Sequence, residues 1–211
     1  MYHHISGIMI AFGAFFLAVL SPGPNMLAVI GTSMGSGRRA GLIVALGVSF
    51  GSLWWGVLSV VGLTSLITKY AVVTFYIKIG GGVYLLWLAW RSLNSAFSRS
   101  PPEPVTIENA RTAFAYFRYG LLIQMTNPKA AITWVAILAM AVEPDAPLWV
   151  ETTIVTGVGL FSVAAYIAYA MLFSSPLVAT AYTGFRRWVE LSLCIFFCIA
   201  SYRLITRTLP G

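Results

Sequence analysis

The sequence predicts an all-α, polytopic integral membrane protein of about six transmembrane helices, set out as a 3+3 inverted repeat with proline-broken first and fourth helices. Three observations carry that expectation. The 211-residue chain is 59% hydrophobic and only 9% charged, whereas a soluble surface needs about two to three times that charge. The apolar residues gather into six runs, at 5–30, 42–67, 71–93, 119–142, 148–173 and 188–205, each of the roughly 18 residues or more that a helix needs to cross a bilayer. Two of these runs, the first and the fourth, are interrupted by proline and polar residues.

The runs are apolar on both parities and nearly free of charge, so they do not fit the alternating, polar-lumen pattern of barrel strands. Helices are then the remaining way to satisfy every backbone group inside lipid. The first run lacks the basic leader and small-residue cleavage pattern of a signal peptide, and is expected to be a retained helix. In it the break reads Ser21-Pro22-Gly23-Pro24-Asn25. The second run holds Ser49, Ser52, the Gly47, Gly51 pair suited to a close helix contact, and Trp54 and Trp55 at mid-span. The third carries Lys78 near its outer end, read as snorkelling, and Tyr84. The fourth is broken at Gln124-Met125-Thr126-Asn127-Pro128-Lys129. Trp87, Trp90, Trp149 and Trp188 fall near helix ends, where an aromatic belt belongs. Cys194 and Cys198 share a face of the last run and are read as packing residues; His3 and His4 are adjacent and offer no ligand face.

Residues 94–118 form the one long connection. Their "NSAFSRSPPEPVT" reads as a linker, followed by Ile107, Ala110, Phe114 and Phe117 at the spacing of a short amphipathic helix at the interface. This linker joins pseudo-repeats 1–93 and 119–207 of a single transmembrane domain, 1–211. The first, third and fifth connections hold Arg38, Arg39, Arg99, Arg111, Arg186 and Arg187, whereas the other side has Lys69, Arg203 and Arg207 and an acidic fourth connection with Glu143, Asp145 and Glu151. By the positive-inside rule, 33–41, 94–118 and 180–187 face the cytoplasm and both termini face out.

Gly/Pro-interrupted spans at corresponding positions of two halves point to a transporter's substrate site. Proline removes a donor and frees a carbonyl, and such groups are tolerable at depth only where protein or a cavity receives them. Lys129 adds a charge near mid-membrane, where an ionised side chain is generally functional. The candidate substrate-binding or gating residues are therefore Pro22, Gly23, Pro24, Asn25, Gln124, Asn127, Pro128 and Lys129, with Trp54 offering a ring face to an ammonium group. No carboxylate is expected deep in any span, which makes Lys129 the candidate for proton coupling as well.

Residues 21–30 (SPGPNMLAVI), Gly37-Arg38-Arg39-Ala40-Gly41-Leu42, Gly62-Leu63, Lys78-Ile79-Gly80, Tyr84-Leu85 with Trp87 to Arg91, and Gly120 through Asn127-Pro128-Lys129-Ala130 together resemble, in order along the chain, the LysE/RhtB family of bacterial amino acid exporters. The resemblance implies an inner-membrane exporter of small neutral or basic amino acids, such as homoserine, threonine, lysine or arginine, driven by the proton gradient. The chain departs from the common pattern at Asn25, where many members carry aspartate, so the obvious proton-carrying group is absent. The implied partners are the amino acid, protons and the bilayer, with self-association open and no nucleic acid. No cofactor is implied. A metal or inorganic ion exporter of related architecture would want carboxylate or histidine ligands in the spans. An enzyme would want clustered His, Asp or Glu, and a structural subunit would not need polar breaks in both halves.

Overall fold

The computed structural model describes residues 2–21, 23–69, 71–98, 112–142 and 146–206. Pro22, Ile107 and Ala110 of the linker, Glu143 and Asp145 lie outside them. The described residues form eight α-helices: α1 (Tyr2–Leu20), α2 (Pro24–Gly35), α3 (Arg38–Lys69), α4 (Ala71–Phe97), α5 (Ala113–Met125), α6 (Pro128–Ala141), α7 (Leu148–Leu172) and α8 (Pro176–Thr206). Three helices, counted over Arg38–Gly62, Leu148–Leu172 and Gly184–Thr206, are long and apolar enough to cross a membrane, and counting each bent pair α1–α2 and α5–α6 as one span brings the number to five.

The two bends fall at the prolines. The α1 ladder ends with Ser21 N donating to Leu17 O, Gly23 is extended, and Pro24 opens α2 at a position where its missing N–H costs nothing; the axes turn by 52°. In the second pair, Asn127 is extended and its Oδ1 accepts from Lys129 N at 3.0 Å, capping α6 just ahead of Pro128. The turn there is 59°. Between α2 and α3, Gly37 has φ +89°, a left-handed conformation that favours glycine.

Large apolar side chains lie on the outside, among them Met9, Leu160 and Ile195, as suits a molecule whose solvent is lipid. Inside, one cluster joins α1, α6 and α7 through Phe15, Trp134, Ile137, Ile154 and Val158. A second joins α2, α3 and α7, and a third lies between α4 and α8. Glycines let the helices touch: a Cβ on Gly47 would collide with Phe117 O, and one on Gly120 with Val44 O, so α3 and α5 pack backbone to backbone. The expected close contact at Gly47 and Gly51 is thus found.

Two sequence expectations are corrected. Residues 180–187, expected as a connection, are part of α8, because after Pro176 at the first helical position no proline interrupts the chain before the helix ends. The connection expected over 94–118 is shorter, since α4 continues to Phe97 and α5 begins at Ala113. Phe114 and Phe117 therefore belong to α5 itself, where Thr112 caps the first turn by accepting from Ala115 N at 3.2 Å.

Candidate functional site

The two breaks meet around one cavity. Gly23 and Asn25 reach it from the first break, Gln124, Asn127 and Lys129 from the second, and Phe15, Trp134 and Tyr166 close its walls. Lys129 stands sixteen residues after the start of α5 and twelve before the end of α6, near the middle of the bent pair.

Each half supplies what the other lacks. Ser21 O would be bonded one turn on in an unbroken helix; here the Lys129 ammonium donates to it at 2.9 Å. Asn25 Nδ2 donates to Gln124 Oε1 across the same gap. Gln124 O is the carbonyl that Pro128, lacking an N–H, cannot serve. Trp55 Nε1 donates to it instead at 3.1 Å, with Asn127 N at 3.3 Å. Trp134 is 1% exposed, and its Nε1 donates to Ser52 Oγ at 3.1 Å. Asn25 Oδ1 and Thr133 Oγ1 are buried without a hydrogen-bond partner, and the Tyr166 hydroxyl lies beside Asn25.

Of the predicted residues, Gly23, Asn25, Gln124, Asn127 and Lys129 come together here. Pro24 and Pro128 act one step back, each opening a half-helix. Trp54 does not line the cavity; it is 49% exposed on the outer face of α3. Trp134 lines the cavity instead, and Trp55 donates to Gln124 O at the second break. The sequence reading also missed Ser21 O, Thr133 and Tyr166 in the wall, and treated Ser52 as packing. Thr133 carried a signal, since it follows Lys129 by four residues and shares its helix face.

A carboxylate was missed as well. Glu190 on α8 is 1% exposed, contrary to the expectation that no acid lies deep in a span. Glu190 stands two residues inside the edge of the run read from the sequence, 188–205; the span counted in the structure starts at Gly184, which puts it six residues in.

The cavity has a volume of about 40 Å³, room for about three waters but not for an amino acid. One base and no acid lines it. Polar groups converging on one cavity from two broken helices are the arrangement expected at the substrate site of a multi-pass transport protein.

The LysE type translocator family profile matches residues 15–208, and the chain belongs to that family, as a multi-pass protein of the bacterial inner membrane. Among similar proteins, the uncharacterized membrane protein YahN of Escherichia coli (strain K12) is 30% identical over 95% of this chain and 90% of its own length. The threonine efflux protein of the same strain is 27% identical over 82% of this chain and 85% of its own. The leucine efflux protein of Enterobacter sp. (strain 638) is 32% identical over 64% of this chain and 62% of its own. No solved structure shows significant similarity to the chain.

Proposed function

We propose that this chain exports neutral amino acids across the cytoplasmic membrane by alternating access of a six-span, 3+3 inverted repeat, drawing on the proton gradient. The observation that carries the reading is the cavity between the two breaks, which is lined by one base, neutral hydrogen-bonding groups and no acid. A zwitterion leaving water needs a partner for each charge. Its carboxylate matches the Lys129 ammonium. Its own ammonium matches Ser21 O, which Lys129 occupies in the closed cavity, and the unpartnered Asn25 Oδ1. Substrate entry thus exchanges the bonds that link the halves for bonds to the substrate. A basic side chain would add a second cation beside Lys129 with no anion to meet it, which disfavours lysine and arginine. Two of the similar proteins are named for efflux of threonine and of leucine, both neutral.

The inverted-repeat reading is supported by how the helices pair. Exchanging the halves turns α1–α2 into α5–α6, α3 into α7 and α4 into α8. The contacts α3–α7 and α4–α8 map onto themselves, while α1–α6 corresponds to α2–α5 and α3–α6 to α2–α7. In this reading Lys129 is the coupling group. Efflux of labelled threonine, leucine and lysine from vesicles with and without the protein tests the function. We expect export of one or both neutral substrates and none of lysine. Absence of efflux across a broad amino acid panel would sink the reading, and lysine export at the faster rate would overturn its charge selectivity.

A further inference from the structure

A second, smaller hollow lies beside the cavity between the breaks. It is walled by Ala14 of α1, Leu85 and Leu88 of α4, Ile137 and Met140 of α6 and Phe197 of α8, and it shares Ala18 and Thr133 with the larger cavity. Apart from Thr133 its lining is aliphatic and aromatic. Its volume is about 10 Å³, the scale of a single methyl group and well short of an isobutyl group.

Thr133 stands at the seam between the two. It follows Lys129 by four residues, so both side chains lie on the face of α6 turned to the cavity. Thr126, Thr152, Thr153 and Thr206 each donate their hydroxyl to the carbonyl four residues earlier, at 2.7–2.8 Å. Thr133 Oγ1 makes no such bond and is buried without a partner. The Tyr84 hydroxyl of α4 lies beside Thr133 and is also buried without a partner, but Tyr84 lines neither space. A buried hydroxyl left unpaired costs free energy, and one that faces a substrate site recovers that cost when the substrate brings a matching group.

We propose that Thr133 and the apolar hollow behind it form the side-chain subsite of this exporter, which takes a short aliphatic side chain bearing a hydroxyl. This rests on the neutral amino acid reading above and adds which neutral side chains are preferred. With the substrate carboxylate at Lys129 and its ammonium at Ser21 O and Asn25 Oδ1, the side chain is left facing the next turn of α6, where Thr133 lies. The substrate hydroxyl pairs with Thr133 Oγ1, which both donates and accepts, and the adjoining methyl or methylene group enters the hollow. An apolar pocket alone discriminates weakly between side chains that differ by a hydroxyl, whereas a buried hydroxyl left unpaired against a methyl group penalises the wrong substrate.

Threonine and valine have the same shape and differ by a hydroxyl in place of a methyl, so the ratio of their export rates reads this subsite directly. In liposomes holding the full-length protein and loaded with either labelled amino acid, threonine should leave about tenfold faster than valine. Thr133→Val should bring the ratio to about one or below, and Thr133→Ser should restore it. Tyr84→Phe should leave it unchanged. Met140→Ala, which widens the hollow, should raise leucine export relative to threonine several-fold. Thr133→Val keeps the shape of the side chain and removes an unpaired hydroxyl, so its unfolding midpoint in detergent should not fall. Equal effects of Thr133→Val and Tyr84→Phe would mean that the two hydroxyls serve each other and not a substrate, and would overturn the proposal. So would a leucine-to-threonine ratio unmoved by Met140→Ala. A threonine-to-valine ratio that Thr133→Val leaves unchanged, in a protein that still exports neutral amino acids, would overturn the subsite alone. Absence of efflux for every amino acid tried would overturn the export reading and the subsite with it.

Discussion

Lys129 and Asn25 differ in what their loss removes. Lys129→Met keeps the length of the side chain and deletes the cation, leaving a substrate carboxylate without its charge partner in a buried site. We expect efflux to fall by about a hundredfold or more, on the scale of roughly 3 kcal/mol for a broken buried charge pair, with normal expression in the membrane. Asn25→Ala removes the bond to Gln124 Oε1, a neutral interaction of about 1 kcal/mol, and should weaken efflux only several-fold. Full export by the methionine variant would reject the role given to Lys129. Trp54 and Trp134 form a second contrast: Trp54→Ala, on the outer face, should export at the normal rate, whereas Trp134→Phe loses the bond to Ser52 and should slow efflux several-fold, again on the scale of about 1 kcal/mol. Equal effects of the two in the same efflux assay would contradict the cavity described here. The polar members of the site were legible because charge and amide stand out in an apolar run. Trp54 misled because sequence position reports depth along a helix but not which way a side chain faces when the helix is apolar all round. Glu190 was passed over because it stands two residues inside the edge of the run at 188–205, close behind Arg186 and Arg187, which the sequence pattern assigns to a connection; the structure turns Arg186 against α4.

At the scale of elements, glycine has two different uses. Gly120 and Gly47 hold α3 and α5 at a distance where backbone carbonyls would occupy the space of an added Cβ. Gly120→Val must push the helices apart, so we expect a loss of about 1–3 kcal/mol, typical of overpacking, read as a lower unfolding midpoint in detergent. Gly23 is unlike them. Its φ of −156° is extended backbone open to any residue, and a Cβ there would come no closer than 3.5 Å to Lys129 Nζ. Gly23→Ala should therefore leave both stability and efflux near normal, and a severe loss would mean that the first break moves through a conformation this one does not display. The breaks themselves were plain in the sequence because proline has a fixed cost inside a helix. The start of α8 was not, because Arg186 and Arg187 read as part of a connection although the helix begins at Pro176 and runs through them.

For the whole molecule, the contacts fix which ends of the helices lie together. Val44, Gly47 and Gly51 of α3 meet Gly120, Phe117 to Leu121, and Gln124 of α5, so the two helices run parallel and the first and third connections share one end. Arg186 reaching Ser95 O and Ser98 O brings the start of the last span to that same end. At the opposite end His4 meets Trp149 edge-on at 5.9 Å, and Gly7 abuts Ala141 O, joining the N-terminal helix to the fourth connection. Gly82 against Ile205 and Ser201 sets the middle of α4 beside the last turns of α8. Three connections at one end, with both termini and two connections at the other, would make the six crossings proposed above, and the positive-inside rule would then put the arginine-rich end in the cytoplasm. Cysteine labelling tests the orientation. Ser36 is the better probe of the first connection than Gly37, whose φ of +89° would strain a cysteine, and Leu148 is an exposed probe at the start of α7. In a background with Cys194 and Cys198 replaced by serine, an impermeant thiol reagent added to intact cells should label Leu148→Cys and spare Ser36→Cys, with the pattern reversing in inside-out vesicles. Labelling of Ser36→Cys from outside would invert the molecule, and labelling of both from one side would break the six-span arrangement itself, because the two positions would then share an end that the α3–α5 and α1–α7 contacts keep apart.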